Sequence, residues 1–310
     1  ALMTERAVRE LIVQGSSQLE AAHVPSPRVD AELLMAHTLG VERSQLIVQS
    51  SLSDEQVAEY MRLIGRRSAR EPLQHLTGRA YFRHLELEVG PGVFIPRPET
   101  ETLVEFVLTE LKSRREAAVE SELLVVDLCT GSAAIPLAIA TECRAVSAVA
   151  VELSPDAFAW AQRNVVAHRD QLEAMGSRIE LIRGDACDAA AILPADAGRA
   201  DVVTCNPPYI PDGAIPRDPE VRDHDPAIAL FGGADGLDIV RRVVEQAAKL
   251  LRPGGLLLIE HGDEQGFPSD GLGVPGVVAR APEFEATADH ADLAGRPRVT
   301  TTRLRSAVPH

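Results

Sequence analysis

Residues 123–142 read LLVVDLCTGSAAIPLAIATE, and this stretch decides the fold of the chain. Its first part, Leu123–Leu128, is a short apolar segment that predicts a buried β-strand. A turn containing Gly131 follows, and the apolar segment Ile135–Thr141 predicts a helix directly after it. A tight turn of this kind brings the backbone N–H groups at the start of a helix toward a bound ligand, although an ordinary strand-to-helix loop has the same appearance.

The same alternation of strands and helices continues toward the C-terminus. Strands are predicted at Ala145–Val151, Ile179–Arg183, Ala200–Cys205 and Leu256–Glu260, and helices at Pro155–Ala167 and Leu237–Leu251. This order predicts an α/β fold with a parallel sheet covered on both faces. Ligands of such sheets bind at the carboxyl ends of the strands. The segment Gly262–Gly276, rich in Gly and Pro, is predicted to be a loop.

The N-terminal third of the chain has a different pattern. Apolar spacing predicts a helix over Arg28–Leu39, and the sequence Ser53–Gln56 is a capping box that opens another helix. Alternating aromatic and apolar residues between Glu71 and Pro98 predict a β-hairpin connector, and Thr100–Leu111 returns to helical spacing. A small helical unit can be a lid, a dimerisation element or a partner-binding module, and composition does not choose among these roles.

The composition is that of a globular protein with a strongly acidic balance. The 310 residues have room for a small and a medium domain, 45% of them are hydrophobic, and the net charge is −15. Such a charge argues against a nucleic-acid substrate, since phosphate binding draws on Lys and Arg. No apolar run approaches the roughly 20 residues that a membrane span needs, so we expect no membrane association. A local cluster formed by Arg62, Arg66, Arg67 and Arg70 is expected to be a solvated face; the alternative is a contact with a protein partner or with ribosomal RNA.

The four cysteines, Cys129, Cys143, Cys187 and Cys205, form no CxxC pair. Scattered cysteines favour a reducing, cytoplasmic compartment, and we expect all four to act as small buried side chains. No histidine stands near them at the spacing of metal ligands, and His261 alone does not indicate a metal. We therefore expect no metal site.

Acidic residues follow two of the predicted strands. Glu152, about 20 residues after the first turn, can accept from both hydroxyl groups of a ribose, or it can simply favour the start of the next helix. Asp185, followed by Ala186, can accept from an adenine amino group, or it can cap a helix. Only together with the turn around Gly131 do these residues favour an adenosine-binding site.

The sequence Asn206-Pro207-Pro208-Tyr209 follows the predicted strand Ala200–Cys205 directly. Two prolines remove two backbone donors and leave carbonyl acceptors, Asn adds a side-chain acceptor, and Tyr adds a planar face for stacking. Acceptors that hold both N–H bonds of a planar NH₂ group orient its nitrogen toward a methyl donor, and such orientation is worth roughly 7–11 kcal/mol. No strong general base is needed, because the alkylated nitrogen loses its proton readily.

With this tetrapeptide, the chain resembles amino- and amide-nitrogen methyltransferases. Further motifs narrow the resemblance to the HemK/PrmC family of peptide-chain release factor glutamine methyltransferases, and they extend over nearly the whole chain: EPLQHLTG at 71–78, FIPRPETE at 94–101, ALFGGADGL at 229–237, EHGDEQ at 260–265 and DLAGR at 292–296. The resemblance implies a Rossmann-like class I fold that uses S-adenosyl-L-methionine. It also implies a class 1 release factor as protein substrate, methylated on the glutamine of a Gly-Gly-Gln loop.

The resemblance also implies domains and residue roles. A substrate-recognition domain would span residues 1–74, the hairpin connector 75–98 and the methyltransferase domain 99–310. The cofactor would contact the loop Cys129, Thr130, Gly131, Ser132 and Ala133, then Glu152 at the ribose, Asp185 and Ala186 at the adenine, and Asn206. The glutamine would be held by the catalytic residues Asn206, Pro207, Pro208 and Tyr209. The segment Arg97–Glu101 would close over the site.

Three departures from the family pattern bear on cofactor binding. Cys129 and Ala133 stand where glycines are usual, so their Cβ atoms crowd the loop if the backbone there needs a positive φ. Ala186 replaces an aromatic residue beside the adenine. Prolines and glycines after Gln265 disfavour a helix that the family usually has. We expect weaker or adjusted cofactor binding with the chemistry retained.

Three rival functions remain open at this point. A ribosomal-protein glutamine methyltransferase would differ mainly in its N-terminal domain. A DNA adenine methyltransferase would flip its base into the same pocket, but the acidic charge argues against it. A non-enzymatic adenosine-binding protein is suggested by Cys129 and Ala133.

Overall fold

The computed structural model describes residues 6–117, 122–266 and 273–306. Its internal contacts divide the chain into two units. The first unit comprises the chain up to Arg79 together with the later segments Val89–Pro91 and Pro216–His224. The second unit comprises the remaining residues. The domain boundaries after residues 74 and 98 remain predictions.

The helices and strands are numbered in chain order. The helices are α1 Val8–Ala21, α2 Pro27–Leu39, α3 Asp54–Ser68, α4 Leu73–Thr77, α5 Glu101–Ala117, α6 Ala134–Glu142, α7 Pro155–Ala167, α8 Arg169–Ala174, α9 Ala189–Ile192, α10 Pro219–His224, α11 Asp238–Leu250 and α12 Val274–Ala279. The strands are β1 Arg6–Ala7, β2 Ser51–Leu52, β3 Arg79–Phe82, β4 Leu85–Glu88, β5 Leu123–Leu128, β6 Val146–Glu152, β7 Arg178–Arg183, β8 Ala200–Cys205, β9 Leu251–Glu260, β10 Phe284–Ala291 and β11 Pro297–Leu304.

The first unit is a helical assembly built on α1, α2 and α3. Its core includes Leu34 and Ile64, and the buried Tyr60 hydroxyl donates to the Ala31 carbonyl at 3.3 Å. Gly15 lets α1 approach α3 closely, since a Cβ at that position would lie 2.4 Å from the Tyr60 hydroxyl. The predicted capping box is confirmed, with Ser53 and Gln56 bonding each other's backbone N–H. A satisfied helix start of this kind stabilises α3 by about 1 kcal/mol.

The arginine cluster at the end of α3 is a solvated face only in part, because Arg62 is exposed and Arg67 is buried. Arg62 pairs with Glu59, and Arg66 pairs with Glu71. Arg67 is buried, with Nε 2.8 Å from Asp30 Oδ2 and Nη1 2.9 Å from Glu220 Oε1. Arg70 binds the same Glu220 carboxylate at 2.7 Å. The prediction of a solvated face is therefore wrong for Arg67, because a buried guanidinium is tolerated only with partners of opposite charge.

The second unit is built on a seven-stranded sheet of order β10-β11-β9-β8-β5-β6-β7. The strands from β9 to β7 in this order are parallel, whereas β11 pairs antiparallel with both β9 and β10. The chain runs outward from β5 to β7 and then returns to β8 on the other side of β5. A reversal of this kind opens a crevice at the carboxyl ends of β5 and β8, where α/β proteins bind ligands.

Helices cover both faces of the sheet, as the sequence predicts for an α/β fold. Val125 packs with α5 and α6 on one face, and Val126 packs with α11 on the other. The alternation follows from the two-residue repeat of a strand. Both clusters are composed of buried and mostly aliphatic residues, so the sheet is fixed where β5 and β8 end.

Most predicted elements are confirmed, and two regions need correction. The bounds of β5, β8 and α7 match the prediction, and β3 and β4 form the predicted hairpin sheet. Strands β10 and β11 were not predicted. The predicted loop at residues 262–276 is wrong at its end, because α12 begins at Val274 with Pro275 in its first turn, where proline is tolerated. Residues 267–272 of this predicted loop lie outside the described residues. Among the described helices none combines the length and apolarity needed to cross a bilayer.

Candidate active site

The turn after β5 has a left-handed backbone at three positions. Cys129, Gly131 and Ala133 have φ values of 60°, 59° and 67°. Ala133 is fully buried and is the residue before α6. A residue with a Cβ atom is strained in this region by roughly 1–2 kcal/mol, so the condition stated above for Cys129 and Ala133 is met. The turn therefore has three left-handed positions, which favour glycine, but only one of them is occupied by glycine.

Asp127, the penultimate residue of β5, holds the base of this turn. It is fully buried and accepts from the hydroxyls of Thr130 and, at 2.6 Å, of Thr204 in β8. Burial raises the pKa of Asp127 to about 7, although both hydrogen bonds favour the ionised form and oppose this shift. Asp127 therefore links the two strands whose ends form the crevice. The sequence motif contains this residue, but its role was not predicted.

Glu152 lies at the end of β6 and faces the same turn. Its Oε2 accepts from the Gly131 N–H and its Oε1 from the Ser154 N–H, both at 2.8 Å. Burial raises the pKa of Glu152, and these backbone hydrogen bonds oppose the shift. Each carboxylate oxygen retains a further lone pair, so Glu152 can order the loop and still accept from a ligand hydroxyl.

Asp185 follows β7 and caps a short 3₁₀ turn. Its Oδ1 accepts from the Cys187 N–H at 2.8 Å, so the capping interpretation of this residue is realised. Ala186 is buried next to it. Cys205 is also buried, whereas Cys129, Cys143 and Cys187 are only half-buried, so the expectation of four buried cysteines is wrong for three of them.

Asn164, on α7, clamps the turn to the hairpin. It is fully buried, its Nδ2 donates to the carbonyls of Ser132 and Glu88 at 3.0 Å, and its Oδ1 accepts from the Glu88 N–H at 2.7 Å. Both N–H bonds of the amide and one of the two lone pairs of its oxygen are therefore used. The sequence gives no signal for this role, because an Asn inside an amphipathic helix looks like any other polar position.

The tetrapeptide after β8 presents two unused acceptors. The Asn206 side chain and the Pro207 carbonyl have no hydrogen-bond partner among residues 6–117, 122–266 and 273–306. The next two carbonyls are held in other ways: the Pro208 oxygen packs so closely on Gly232 that a Cβ there would lie 2.4 Å from it, and Gln265 Nε2 donates to the Tyr209 oxygen at 2.8 Å. The backbone is thus held from one side and leaves its first acceptors available.

The phenol of Tyr209 lies in a charged surrounding. Its pKa is raised to about 12, chiefly by burial and also by the negative charge of Glu260. Arg97 opposes this shift, and Arg97 itself binds Asp225 at 2.7 Å and lies over the Phe94 ring at 4.9 Å. These contacts support the expectation that Arg97–Glu101 lies close to the tetrapeptide.

His261 is held by hydrogen bonds. Its Nε2 lies 2.9 Å from Asp289 Oδ1, and its Nδ1 lies 2.8 Å from the Gly262 oxygen. Within the described part of the chain, no group of three or more His, Cys, Asp or Glu side chains could hold a metal ion.

Comparison with known proteins identifies the family. Residues 10–78 match the model of the PrmC N-terminal domain. A release factor glutamine methyltransferase of Streptomyces coelicolor (strain ATCC BAA-471 / A3(2) / M145) is 45% identical over 293 residues, covering 94% of this chain and 96% of the relative. The chain belongs to the release factor glutamine methyltransferase family. The resemblance inferred from the sequence motifs is confirmed.

Two further relatives are similar to this chain over most of its length. One with the same printed name, from Mycolicibacterium smegmatis (strain ATCC 700084 / mc(2)155), is 43% identical over 96% of this chain and 98% of its own length. A 4-amino-L-phenylalanine/4-methylamino-L-phenylalanine methyltransferase of Streptomyces pristinaespiralis is 35% identical over 81% of this chain and 82% of its own length.

Proposed function

We propose that this chain methylates the side-chain amide nitrogen of the glutamine in the Gly-Gly-Gln loop of class 1 peptide-chain release factors, with S-adenosyl-L-methionine as the methyl donor. Family membership supports a glutamine of a release factor as the target. The observation that carries the chemistry is the pair of unused acceptors, Asn206 Oδ1 and the Pro207 carbonyl, at the carboxyl end of β8.

The two acceptors suit a primary carboxamide. Its two N–H bonds can each be taken by one acceptor, and the ring of Tyr209 offers a face on which the planar amide can stack. Held in this way, the amide cannot rotate, and its nitrogen faces the crevice between β5 and β8. The carbonyls of Pro208 and Tyr209, fixed against Gly232 and by Gln265, keep the tetrapeptide rigid. Rigid placement is the main contribution of these residues to the rate.

The residues around the turn after β5 fit an adenosine-containing donor. Glu152 retains lone pairs for ribose hydroxyls, and the left-handed turn at Cys129, Gly131 and Ala133 exposes backbone to a ligand. Asp185 and Ala186 lie after the neighbouring strand, where the adenine would bind. When bound, the donor would supply an electrophilic methyl group on a positively charged sulfur.

The helical first unit is the part that we assign to release factor recognition. Its match to the PrmC N-terminal domain over residues 10–78 supports this assignment. We retain the domain limits 1–74, 75–98 and 99–310 as part of the proposal.

The test is transfer of a labelled methyl group from the donor to a purified release factor. We expect label on the factor, and we expect it to disappear when the glutamine of the Gly-Gly-Gln loop is replaced by alanine. Parallel tubes would contain a ribosomal protein and adenine-containing duplex DNA. Label on either of these alone would overturn the proposal. Absence of both label and donor binding by calorimetry would favour a non-catalytic role.

A second candidate is methylation of an aromatic amine on a free amino acid. It is favoured by the relative from Streptomyces pristinaespiralis, and an arylamine nitrogen presents the same planar NH₂ group to Asn206 and Pro207. A tube containing 4-amino-L-phenylalanine distinguishes the two. Methylation of this amino acid with a higher kcat/KM than that of the release factor would replace the first proposal by the second.

A further inference from the structure

Glu260, the last residue of β9, is a buried carboxyl group that the role of the tetrapeptide leaves unexplained. Its side chain is buried, with 2% of the residue exposed. Oε1 accepts from the Thr100 hydroxyl at 3.1 Å, whereas Oε2 has no hydrogen-bond partner in the described residues. A buried carboxyl oxygen without a partner lowers stability, so its presence points to a group that meets it only during function.

The sheet places Glu260 beside the tetrapeptide. Cys205 and Ile259 are Cα partners in the parallel strands β8 and β9. The residue after each of them, Asn206 and Glu260 respectively, therefore lies beside the other at the carboxyl ends of the two strands. Neighbouring strands are about 4.8 Å apart. Ile259 packs on the α11 face, and because side chains alternate, Glu260 emerges on the opposite face, where it meets Thr100 at the start of α5.

Several charged groups face Glu260, and they come from each element around it. Arg298 of β11 favours the carboxylate, while Glu99 in the turn before α5 and Asp292 before β11 disfavour it. Tyr209 lies on the tetrapeptide side, and the adjacent His261 binds Asp289. Burial outweighs these effects and raises the pKa of Glu260 to about 7. A carboxyl group in this range accepts a proton effectively near neutral pH.

The sequence alone suggests that no strong general base is needed; building on the proposed function but departing from that expectation, we propose that Glu260 is a catalytic residue whose Oε2 accepts the proton that the substrate amide nitrogen releases on methylation. The nitrogen forms a bond to the methyl carbon with its lone pair. The carbon–sulfur bond breaks, and its electron pair remains on sulfur as a neutral thioether. The N–H bond breaks, its electron pair stays on nitrogen, and the proton moves to Glu260. One positive and one negative charge are therefore neutralised together in a buried site.

Steady-state kinetics on the release factor test this role. The wild-type chain is expected to show a kcat that rises with pH through an apparent pKa near 7. Glu260→Gln keeps the shape and the acceptor for Thr100, and it should lower kcat at least about a hundredfold, with no limb near pH 7. Glu260→Asp should keep the limb at reduced kcat. The matched control is Glu264→Gln, an exposed carboxyl group of the following loop, which should behave like the wild type.

Two measurements without turnover separate catalysis from a structural role. Infrared difference spectra of the resting protein should show a carboxyl group that titrates near pH 7 and is absent in Glu260→Gln. The folded pKa lies above the ordinary value of 4.5, so the ionised carboxyl is the destabilising form, and its effect grows as pH rises from about 4.5 to 7. The melting temperature of Glu260→Gln should therefore gain on that of the wild type between pH 5 and pH 8.

Contrary results are distinct from one another. A Glu260→Gln variant with wild-type kcat at every pH overturns the proposal, as does a carboxyl group that titrates near its ordinary value. Loss of activity that parallels a lower melting temperature at all pH values assigns Glu260 a structural role instead. A wild-type chain that labels no release factor overturns the proposed function and this role with it.

Discussion

Ala133 shows how one side chain sets the energy of the loop after β5. Its φ of 67° is left-handed, and its Cβ sits at the buried start of α6. We predict that Ala133→Gly raises the free energy of unfolding by about 1 kcal/mol and tightens donor binding, because glycine adopts this backbone without strain. Chemical denaturation and calorimetry measure the two effects. Ala134→Gly, one residue into α6, is the control and should lower stability by a similar amount.

A result in which Ala133→Gly is destabilising and binds the donor no better would show that the methyl group packs favourably enough to outweigh the backbone strain. Cys129, with a φ of 60°, would then need the same reinterpretation.

Asn206 carries the prediction that bears most directly on chemistry. Replacing it by alanine removes one of two acceptors for the substrate amide, so kcat should fall at least about a hundredfold. Donor affinity should stay within a few-fold of the wild type, because the turn after β5 and Glu152 are untouched. Single-turnover kinetics and calorimetry check the two values. Full activity of the variant would exclude the proposed role of Asn206.

The sequence predicts a site residue when that residue belongs to a short motif with recognisable chemistry. The tetrapeptide Asn206–Tyr209, the turn Cys129–Ala133 and Glu152 are all legible as acceptors or ligand loops at strand ends. Asn164 and Asp127 are different, because their importance depends on partners 32 and 77 residues away in the chain. Such pairings are set by tertiary packing, and a single sequence contains no signal for them.

At the scale of elements, α7 does more than cover the sheet. Through Asn164 it binds the end of β4 and the loop before α6 at once. We predict that Asn164→Asp lowers the free energy of unfolding by about 1–3 kcal/mol and weakens donor binding, since a carboxylate cannot donate to the carbonyls of Ser132 and Glu88. Thermal denaturation and calorimetry measure both. Gln162→Ala, on the exposed face of the same helix, should change neither.

If Asn164→Asp lost stability but kept donor affinity, the clamp would serve the hairpin alone. Unchanged stability would contradict the clamp itself.

A strand could be predicted from the sequence when its residues are clearly more apolar than the segments on either side of it. β8 is buried along its whole length and β5 at every position but Leu124, so their limits follow from the sequence. β10 escaped prediction because it is half-exposed at the sheet edge, where apolar alternation is weak. β9 begins five residues before its predicted start and includes Pro253 and Gly254, two residue types that are unfavourable inside a strand.

At the scale of the whole molecule, the chain leaves and re-enters each unit more than once. Pro216–His224 belongs to the first unit although it lies between β8 and α11 in sequence. It contributes Glu220, whose pKa the guanidinium groups of Arg70 and Arg67 lower to about 2, against the opposing effect of burial. Neither composition nor periodicity predicts this return, because the ion pair spans about 150 residues.

We predict that Glu220→Gln strongly destabilises the first unit at neutral pH, by about 3 kcal/mol, because the buried Arg67 loses one of its two carboxylate partners. The folded pKa of Glu220 lies below its ordinary 4.5, so this contribution is present above that value and disappears as pH falls toward 2. Melting curves of variant and wild type should therefore converge between pH 5 and pH 2.

The matched control is Asp223→Asn, which removes an exposed carboxylate from the same segment. It should leave the melting curve unchanged at both ends of this range. A Glu220→Gln variant as stable as the wild type at pH 7 would show that the ion pairs with Arg67 and Arg70 add nothing to folding.

The return of Glu220 to the helices has a practical consequence for grafting between relatives. Consider a hybrid protein that is joined at residue 79 and takes its amino-terminal piece from another organism. It would carry the donor's Arg67 and Arg70 without the donor's Glu220, which is their counter-ion. The transplant should succeed only when the donor's own nine-residue segment 216–224 replaces that of the recipient as well. The helices of the first unit would therefore have to be exchanged in this chain together with a segment that is distant in sequence.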